Sequence, residues 1–126
     1  MVMESLVIES TNQTPKIIMN PENGIFSIEG KSYPENVMRF YQPVFDWLVE
    51  YGKSPNEETK LIVKLDYHNT ATMKVLLYIM NKLSKMQGEG HKILIQWFYA
   101  GEEEESREEG EDLLQEMDLP FEFISY

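Results

Sequence analysis

The chain has 126 residues, 22 acidic and 11 basic side chains, and a formal net charge of −11 at pH 7. This length suits one domain with a sizeable core, and the negative charge argues against binding to nucleic acid or to anionic membranes. The sequence has no cysteine, which excludes disulfides, thiolate metal sites and cysteine nucleophiles.

The amino terminus has no basic segment followed by a long apolar run, and no later segment has the length and apolar character of a transmembrane helix. We therefore expect a cytoplasmic protein in which residues 1–126 form a single domain.

The first residues predict short strands joined by turns. Leu6–Ile8 is a short apolar run, and residues 16–19 follow Pro15, which a sheet tolerates at its edge. Residues 20–24 are rich in turn-forming types, and residues 25–29 alternate as the second arm of a hairpin would.

A first amphipathic helix is predicted after residues 32–36, with Pro34 at the first helical position. Pro43 should kink this helix or restart it, and Gly52 should end it. Trp47 lies off the apolar stripe. The stripe itself comprises Val37, Phe40, Tyr41, Val44, Phe45, Leu48 and Tyr51.

A strand, a helix and a second strand are predicted next. Residues 53–60 form a polar linker, residues 61–65 a buried strand, and residues 91–99 another apolar run. The helix between them begins near Thr70 and ends at Gly88. This spacing indicates a right-handed crossover between parallel neighbours.

The last part of the chain opens with residues 101–112, which carry eight acidic side chains against Arg107. A third helix with Leu113, Leu114 and Met117 should follow and end at Pro120, and residues 121–124 form a last strand. The order of elements predicts an α/β domain with a mixed β-sheet and about three helices packed on it.

Asn69 and Thr70 mark the junction between the buried strand and the second helix. A hydroxyl at a helix N-terminus is a natural phosphoacceptor, because unpaired N–H groups and the helix dipole stabilise an added phosphate. Asn and Thr are also ordinary capping residues, and spacing alone favours a plain cap. Tyr67 beside this turn is either an exposed anchor for a partner or packed against the first helix.

Enzymatic and metal-binding readings are weaker. In a regular strand Asp66, His68 and Thr70 would share one side but stand too far apart for a hydrogen-bonded triad. The acidic segment lacks the spacing of a calcium loop, and His91 has no neighbouring ligand. No phosphate-binding loop, dinucleotide fingerprint or nucleophile elbow occurs, so we expect no enzyme activity, cofactor or metal.

Several motifs together resemble one family across nearly the whole sequence. They are Thr14-Pro15, Gly24 to Gly30, Ser32-Tyr33-Pro34-Glu35-Asn36, Phe40-Tyr41-x-Pro43-Val44-x-Asp46-Trp47, Leu65-x-Tyr67-x-Asn69-Thr70, Lys74, Trp97-x-Tyr99 and Gly110-Glu111. With these residues the chain resembles the SiaC family of regulatory phosphoproteins, which are small domains with a STAS-like fold.

The resemblance implies that Thr70 is the phosphoacceptor of a partner-switching pathway. It also implies a dedicated serine/threonine kinase, an opposing phosphatase, and an effector, commonly a diguanylate cyclase, bound by the unphosphorylated form. The family usually has serines after this threonine, whereas this chain has Ala71, Thr72 and Met73, which makes Thr72 a secondary candidate acceptor. The expected partner-binding residues are Asp66, Tyr67, His68, Asn69, Thr70 and Lys74.

Two other functions stay open at this point. STAS-like domains also serve as anti-sigma-factor antagonists, with a hydroxyl at a helix start. A small-molecule-binding domain or enzyme would use the edge formed by Asp66, His68 and Thr70.

Overall fold

The computed structural model describes residues 3–102 and 104–126, so Glu103 of the acidic segment lies outside the described residues. Within those ranges the chain forms six strands and three helices, which confirms the predicted α/β class with a mixed sheet. The strands are β1 (Leu6–Ile8), β2 (Lys16–Asn20), β3 (Ile25–Ser32), β4 (Glu58–His68), β5 (Lys92–Tyr99) and β6 (Phe121–Ser125). The helices are α1 (Val37–Tyr51), α2 (Thr70–Gly88) and α3 (Glu104–Glu116).

The strands lie in the sheet in the same order as in the sequence, from β1 to β6. β1, β2 and β3 form an antiparallel meander. β3 to β6 run parallel, and each parallel pair is joined through one helix. The turn between β2 and β3 is stabilised by the Asn20 side chain, which accepts the N–H groups of Glu22 and Asn23.

The helices cover one face of this sheet. Phe26 of β3 contacts the rings of Trp47 and Tyr51 of α1, and Trp97 of β5 donates its indole N–H to the main-chain oxygen of Ser106 in α3. Burying each large apolar side chain here stabilises the fold by roughly 1.5–3 kcal/mol. The strand residues in this core include Ile17, Met19, Phe26, Ile28, Leu61, Val63, Ile95 and Trp97.

The opposite sheet face is covered by its own side chains. The Lys64 ammonium lies over the rings of Phe98 and Tyr126, 5.9 and 4.4 Å from the centroids. Long lysine stems of this kind shield apolar surface while their charges stay in water. In the part of the chain that the structure describes, no helix is long and apolar enough to cross a membrane.

The predicted start of the first helix is wrong. Pro34 is not in α1, because Asn36 caps that helix by accepting the N–H of Arg39. Trp47, which lies off the predicted apolar stripe, is nevertheless buried, since it stacks on Tyr51 and donates to the main-chain oxygen of Glu4.

The predicted limits of two other segments also differ. Gly88 is the last residue of α2 and not its cap, which is Glu89. The polar linker is shorter than predicted because β4 already begins at Glu58 and buries Thr59, whose hydroxyl bonds that of Tyr51.

Candidate functional site

A bulge at Asp66 shapes the end of β4. Gly30 pairs with Leu65 and Lys31 with Tyr67, so Asp66 is an extra residue on β4. The bulge interrupts the alternation of side chains between the two faces. The prediction that Asp66, His68 and Thr70 share one side is therefore wrong.

Asp66 and His68 contact different parts of the molecule. Asp66 accepts a hydrogen bond from the Tyr126 hydroxyl at 3.0 Å. The His68 side chain is only 7% exposed, and its Nε2 lies 2.5 Å from Glu109 Oε2 on α3. This hydrogen bond fastens the end of β4 to α3. Glu109 is 41 residues further along the chain, and no sequence pattern indicated that it partners His68.

Asn69 caps α2. Its extended backbone (φ −93°, ψ 172°) lets Oδ1 accept the N–H of Thr72, and Oδ1 also lies 2.9 Å from the Thr72 hydroxyl. The cap makes Thr70 the first helical residue, and Thr70 is exposed. Among residues 3–102 and 104–126 the hydroxyl of this exposed residue has no hydrogen-bond partner.

Thr72 has the opposite surroundings. It is 0% exposed, and its Oγ1 lies 3.0 Å from the main-chain oxygen of Ser32 and 2.8 Å from the Ser32 hydroxyl. The Ser32 hydroxyl in turn lies 2.8 Å from that of Tyr41 on α1. These contacts form a buried chain, Tyr41–Ser32–Thr72–Asn69, that connects α1, β3 and the first turn of α2.

Burial raises the pKa of Tyr41 to about 12, and the hydrogen bond with Ser32 opposes part of that rise. The phenol therefore stays protonated and can donate to Ser32 Oγ. Sequence reasoning missed this chain of hydroxyls, although Ser32 and Tyr41 both fall within the motifs that carry the family resemblance.

The remaining predicted partner-binding residues lie around Thr70. Tyr67 is 54% exposed and packs edge-on against Tyr33, with ring centroids 5.3 Å apart. It is therefore an exposed aromatic and is not packed against α1. Lys74 is exposed one turn after Thr70 on α2. Four of the six residues, Asp66, Tyr67, Thr70 and Lys74, are exposed, whereas His68 and Asn69 hold the local structure.

Comparisons with known proteins agree with one another. Residues 8–126 match the family described as SiaC family regulatory phosphoprotein. The protein PA14_02130 of Pseudomonas aeruginosa (strain UCBPP-PA14) is 29% identical over 119 residues, which cover 94% of each chain.

Solved structures give the same result. The crystal structure of apo-SiaC from Pseudomonas aeruginosa superposes with a TM-score of 0.88 at 27% identity and covers 98% of this chain and 100% of that one. The SiaC chain in the crystal structure of the Pseudomonas aeruginosa diguanylate cyclase SiaD with its activator SiaC also superposes with a TM-score of 0.88 at 27% identity. That match covers 96% of this chain and 99% of the SiaC chain. The expectation of a regulatory protein and not an enzyme is thereby confirmed, and the chain belongs to the SiaC family of regulatory phosphoproteins.

Proposed function

We propose that this protein is a switch controlled by phosphorylation of Thr70, and that its unphosphorylated form binds and activates an effector, a diguanylate cyclase. The observation that carries the proposal is the exposed, unpaired Thr70 hydroxyl at the first residue of α2. The SiaD complex of the Pseudomonas relative supports the choice of effector class. A dedicated serine/threonine kinase and an opposing phosphatase would act on Thr70 in the cytoplasm.

The helix N-terminus can stabilise the modified form. A phosphate adds about −1.5 to −2 charge and strong acceptor oxygens. First-turn N–H groups and the positive end of the α2 dipole favour that charge. Lys74 follows Thr70 at the i+4 spacing that brings two side chains together on a helix. Phosphorylation would therefore proceed without refolding of this domain.

The same charge would weaken effector binding. Asp66 is exposed four residues before Thr70 in the sequence, and the whole protein already carries −11. A partner that packs over Tyr67 and Thr70 would have to desolvate a phosphate on an already acidic protein, which costs free energy. Tyr67 is the natural aromatic anchor of such an interface.

Thr70 is favoured over Thr72 as the acceptor. Thr72 would have to leave three hydrogen-bonding contacts and a fully buried position before a kinase could reach its oxygen. Removing its hydroxyl from that chain would also leave Ser32 without one of its partners, which is costly in a buried site.

The test is phosphopeptide mapping of the protein from its native host, combined with effector capture by purified variants. We expect phosphate on Thr70, loss of phosphorylation with retained binding in Thr70→Ala, and weakened binding in Thr70→Glu. Ser54→Glu is the matched control, because Ser54 is exposed and lies before the start of β4, at the opposite end of that strand from Thr70.

Phosphate found only on serines or on another threonine would remove Thr70 from this role. Capture of a sigma-regulating kinase in place of a cyclase would instead indicate an anti-sigma-factor antagonist. A tightly bound metabolite in the purified protein would favour a small-molecule site at Asp66, His68 and Thr70.

A further inference from the structure

A cavity of about 450 Å³ opens where β4 ends, between that strand and the start of α3. Its described lining contains five carboxylates and no lysine or arginine. Nearby Arg107 does not neutralise them, because its guanidinium bonds Glu111 at 2.9 Å and the Tyr99 hydroxyl at 3.1 Å. The five carboxylates are those of Asp66, Glu102, Glu104, Glu105 and Glu109.

The helix dipole accounts for only part of this cluster. Glu104 and Glu105 lie in the first turn of α3, where acidic side chains offset the partial positive charge of a helix N-terminus. Asp66 belongs to the bulge of β4, and Glu109 lies in the second turn of α3. Both therefore add negative charge to the cavity that the helix end does not offset.

His68 provides a second and independent indication of a ligand. Its side chain lines the cavity, is 7% exposed, and bonds Glu109 through Nε2. Among the residues that the structure describes, its buried Nδ1 has no hydrogen-bond partner. Buried polar atoms are rarely left unpaired. In the neutral ring whose Nε2–H donates to Glu109, Nδ1 is an acceptor, so the group that it lacks is a donor.

We propose that this cavity binds an arginine side chain presented by a partner protein. A guanidinium is always charged and carries five N–H donors in a planar fork, which can donate to carboxylates that lie in several directions around it. The acceptors come from β4, from the segment before α3, and from α3 itself. Charge complementarity thus selects a cation with several donors.

An arginine fits this arrangement better than a metal ion. Within residues 3–102 and 104–126 no three or more His, Asp or Glu side chains lie close enough together to hold a metal. Tyr67 lines the cavity and is also the anchor of the proposed effector surface, so a partner docked on Tyr67 could reach the cavity. Arginine binding here does not require phosphorylation of Thr70, and either proposal can fail without the other.

The experiment is an NMR titration of the full chain with the peptide acetyl-Gly-Arg-Gly-amide. We expect saturable shifts at the amides of residues 66–68 and 104–109 and at the His68 ring. The same peptide with citrulline, which is uncharged, should produce none. Because exposed charges are screened by salt, the affinity should fall as the salt concentration rises.

Glu105→Gln and Glu109→Gln should each lower the affinity for the arginine peptide fivefold or more. Glu116→Gln, at the far end of α3 and outside the cavity, should change that affinity less than twofold. Glu105 has no hydrogen bond to lose among the described residues, so Glu105→Gln still tests the arginine site if Glu109→Gln fails to fold.

Three results would overturn the proposal. The first is equal shifts with the citrulline peptide, and the second is the absence of saturation. The third is a response to Mg²⁺ at these same amides that the arginine peptide cannot displace, which would indicate a metal site instead.

Discussion

Gly110 is the residue at which α3 approaches the sheet most closely. A Cβ atom there would lie 2.8 Å from Cε1 of Phe123 and 3.0 Å from the Trp97 ring, closer than side chains tolerate. Both rings belong to strands beneath the helix. The glycine therefore sets the distance between α3 and the β5–β6 pair.

Gly110→Ala should accordingly lower the free energy of unfolding by about 1–3 kcal/mol, the usual range for overpacking. Urea denaturation measures this loss. Gly88→Ala is the matched control, because no atom lies within 4 Å of its added Cβ and alanine favours helix, so its stability should stay level or rise. Equal losses in both variants would contradict this account of Gly110.

The raised pKa of Tyr41 predicts that the stability of the fold depends on pH. Burial raises its pKa from 10.0 to about 12, so the folded protein keeps a proton that the unfolded chain releases first. Its contribution to the free energy of unfolding is complete below pH 10 and decreases as the pH rises toward 12, by about 3 kcal/mol in total.

Tyr41→Phe should therefore be less stable than the wild type near neutral pH, since Ser32 loses a partner, yet lose less stability between about pH 9 and pH 11.5. Urea unfolding across that range separates the two effects. Parallel pH profiles for the two proteins would show that Tyr41 is not the titrating group.

At the scale of elements, the periodic segments were predictable and their ends were less so. The apolar stripe of α1 and the face of α2 specify helices, because burying one face dominates their stability. The burial of Trp47, which lies off that stripe, was not predictable because it depends on β3 and on the main chain at Glu4, which are distant in sequence.

The site was predictable only in part for the same reason. Asn69 and Thr70 carry local capping chemistry that a sequence displays. The bulge at Asp66 arises from the pairing of β4 with β3, and the bond between His68 and Glu109 arises from the docking of α3. Such contacts between distant segments leave no periodic signal in either segment.

The N-cap of α2 should contribute more to the free energy of unfolding than the N-cap of α1. Asn69 Oδ1 accepts the N–H of Thr72 and contacts its buried hydroxyl, whereas Asn36 Oδ1 accepts a single N–H, that of Arg39, in an exposed position. Losing a cap typically costs about 0.5–2 kcal/mol.

We expect Asn69→Ala to fall at or above the upper end of that range and Asn36→Ala near its lower end, as measured by urea denaturation. Asn69→Asp should recover most of the loss because its carboxylate also accepts. Similar losses for the two alanine variants would show that the buried chain of hydroxyls adds nothing to the cap.

At the scale of the whole molecule, charge is unevenly distributed. Residues 101–112 hold eight of the 22 acidic side chains. Side chains this close repel each other, and salt reduces the repulsion because the Debye length shortens from about 30 Å at 0.01 M to about 10 Å at 0.1 M.

Thermal unfolding should therefore shift to higher temperature when KCl is added. Relief of about 1 kcal/mol corresponds to a rise of roughly 3–6 °C for a domain of this size. The triple variant Glu102→Gln, Glu105→Gln, Glu108→Gln should show a smaller rise, measured by calorimetry. A Tm that falls with salt, or an equal rise in the variant, would contradict this assignment.

The agreement between spatial and sequence order, from β1 to β6, bears on how the protein is made. Each new strand can therefore add to the outer edge of those made before it, and among the described strands none has to be inserted between two earlier ones. Synthesis from the amino terminus can thus build the sheet vectorially, from β1 to β6.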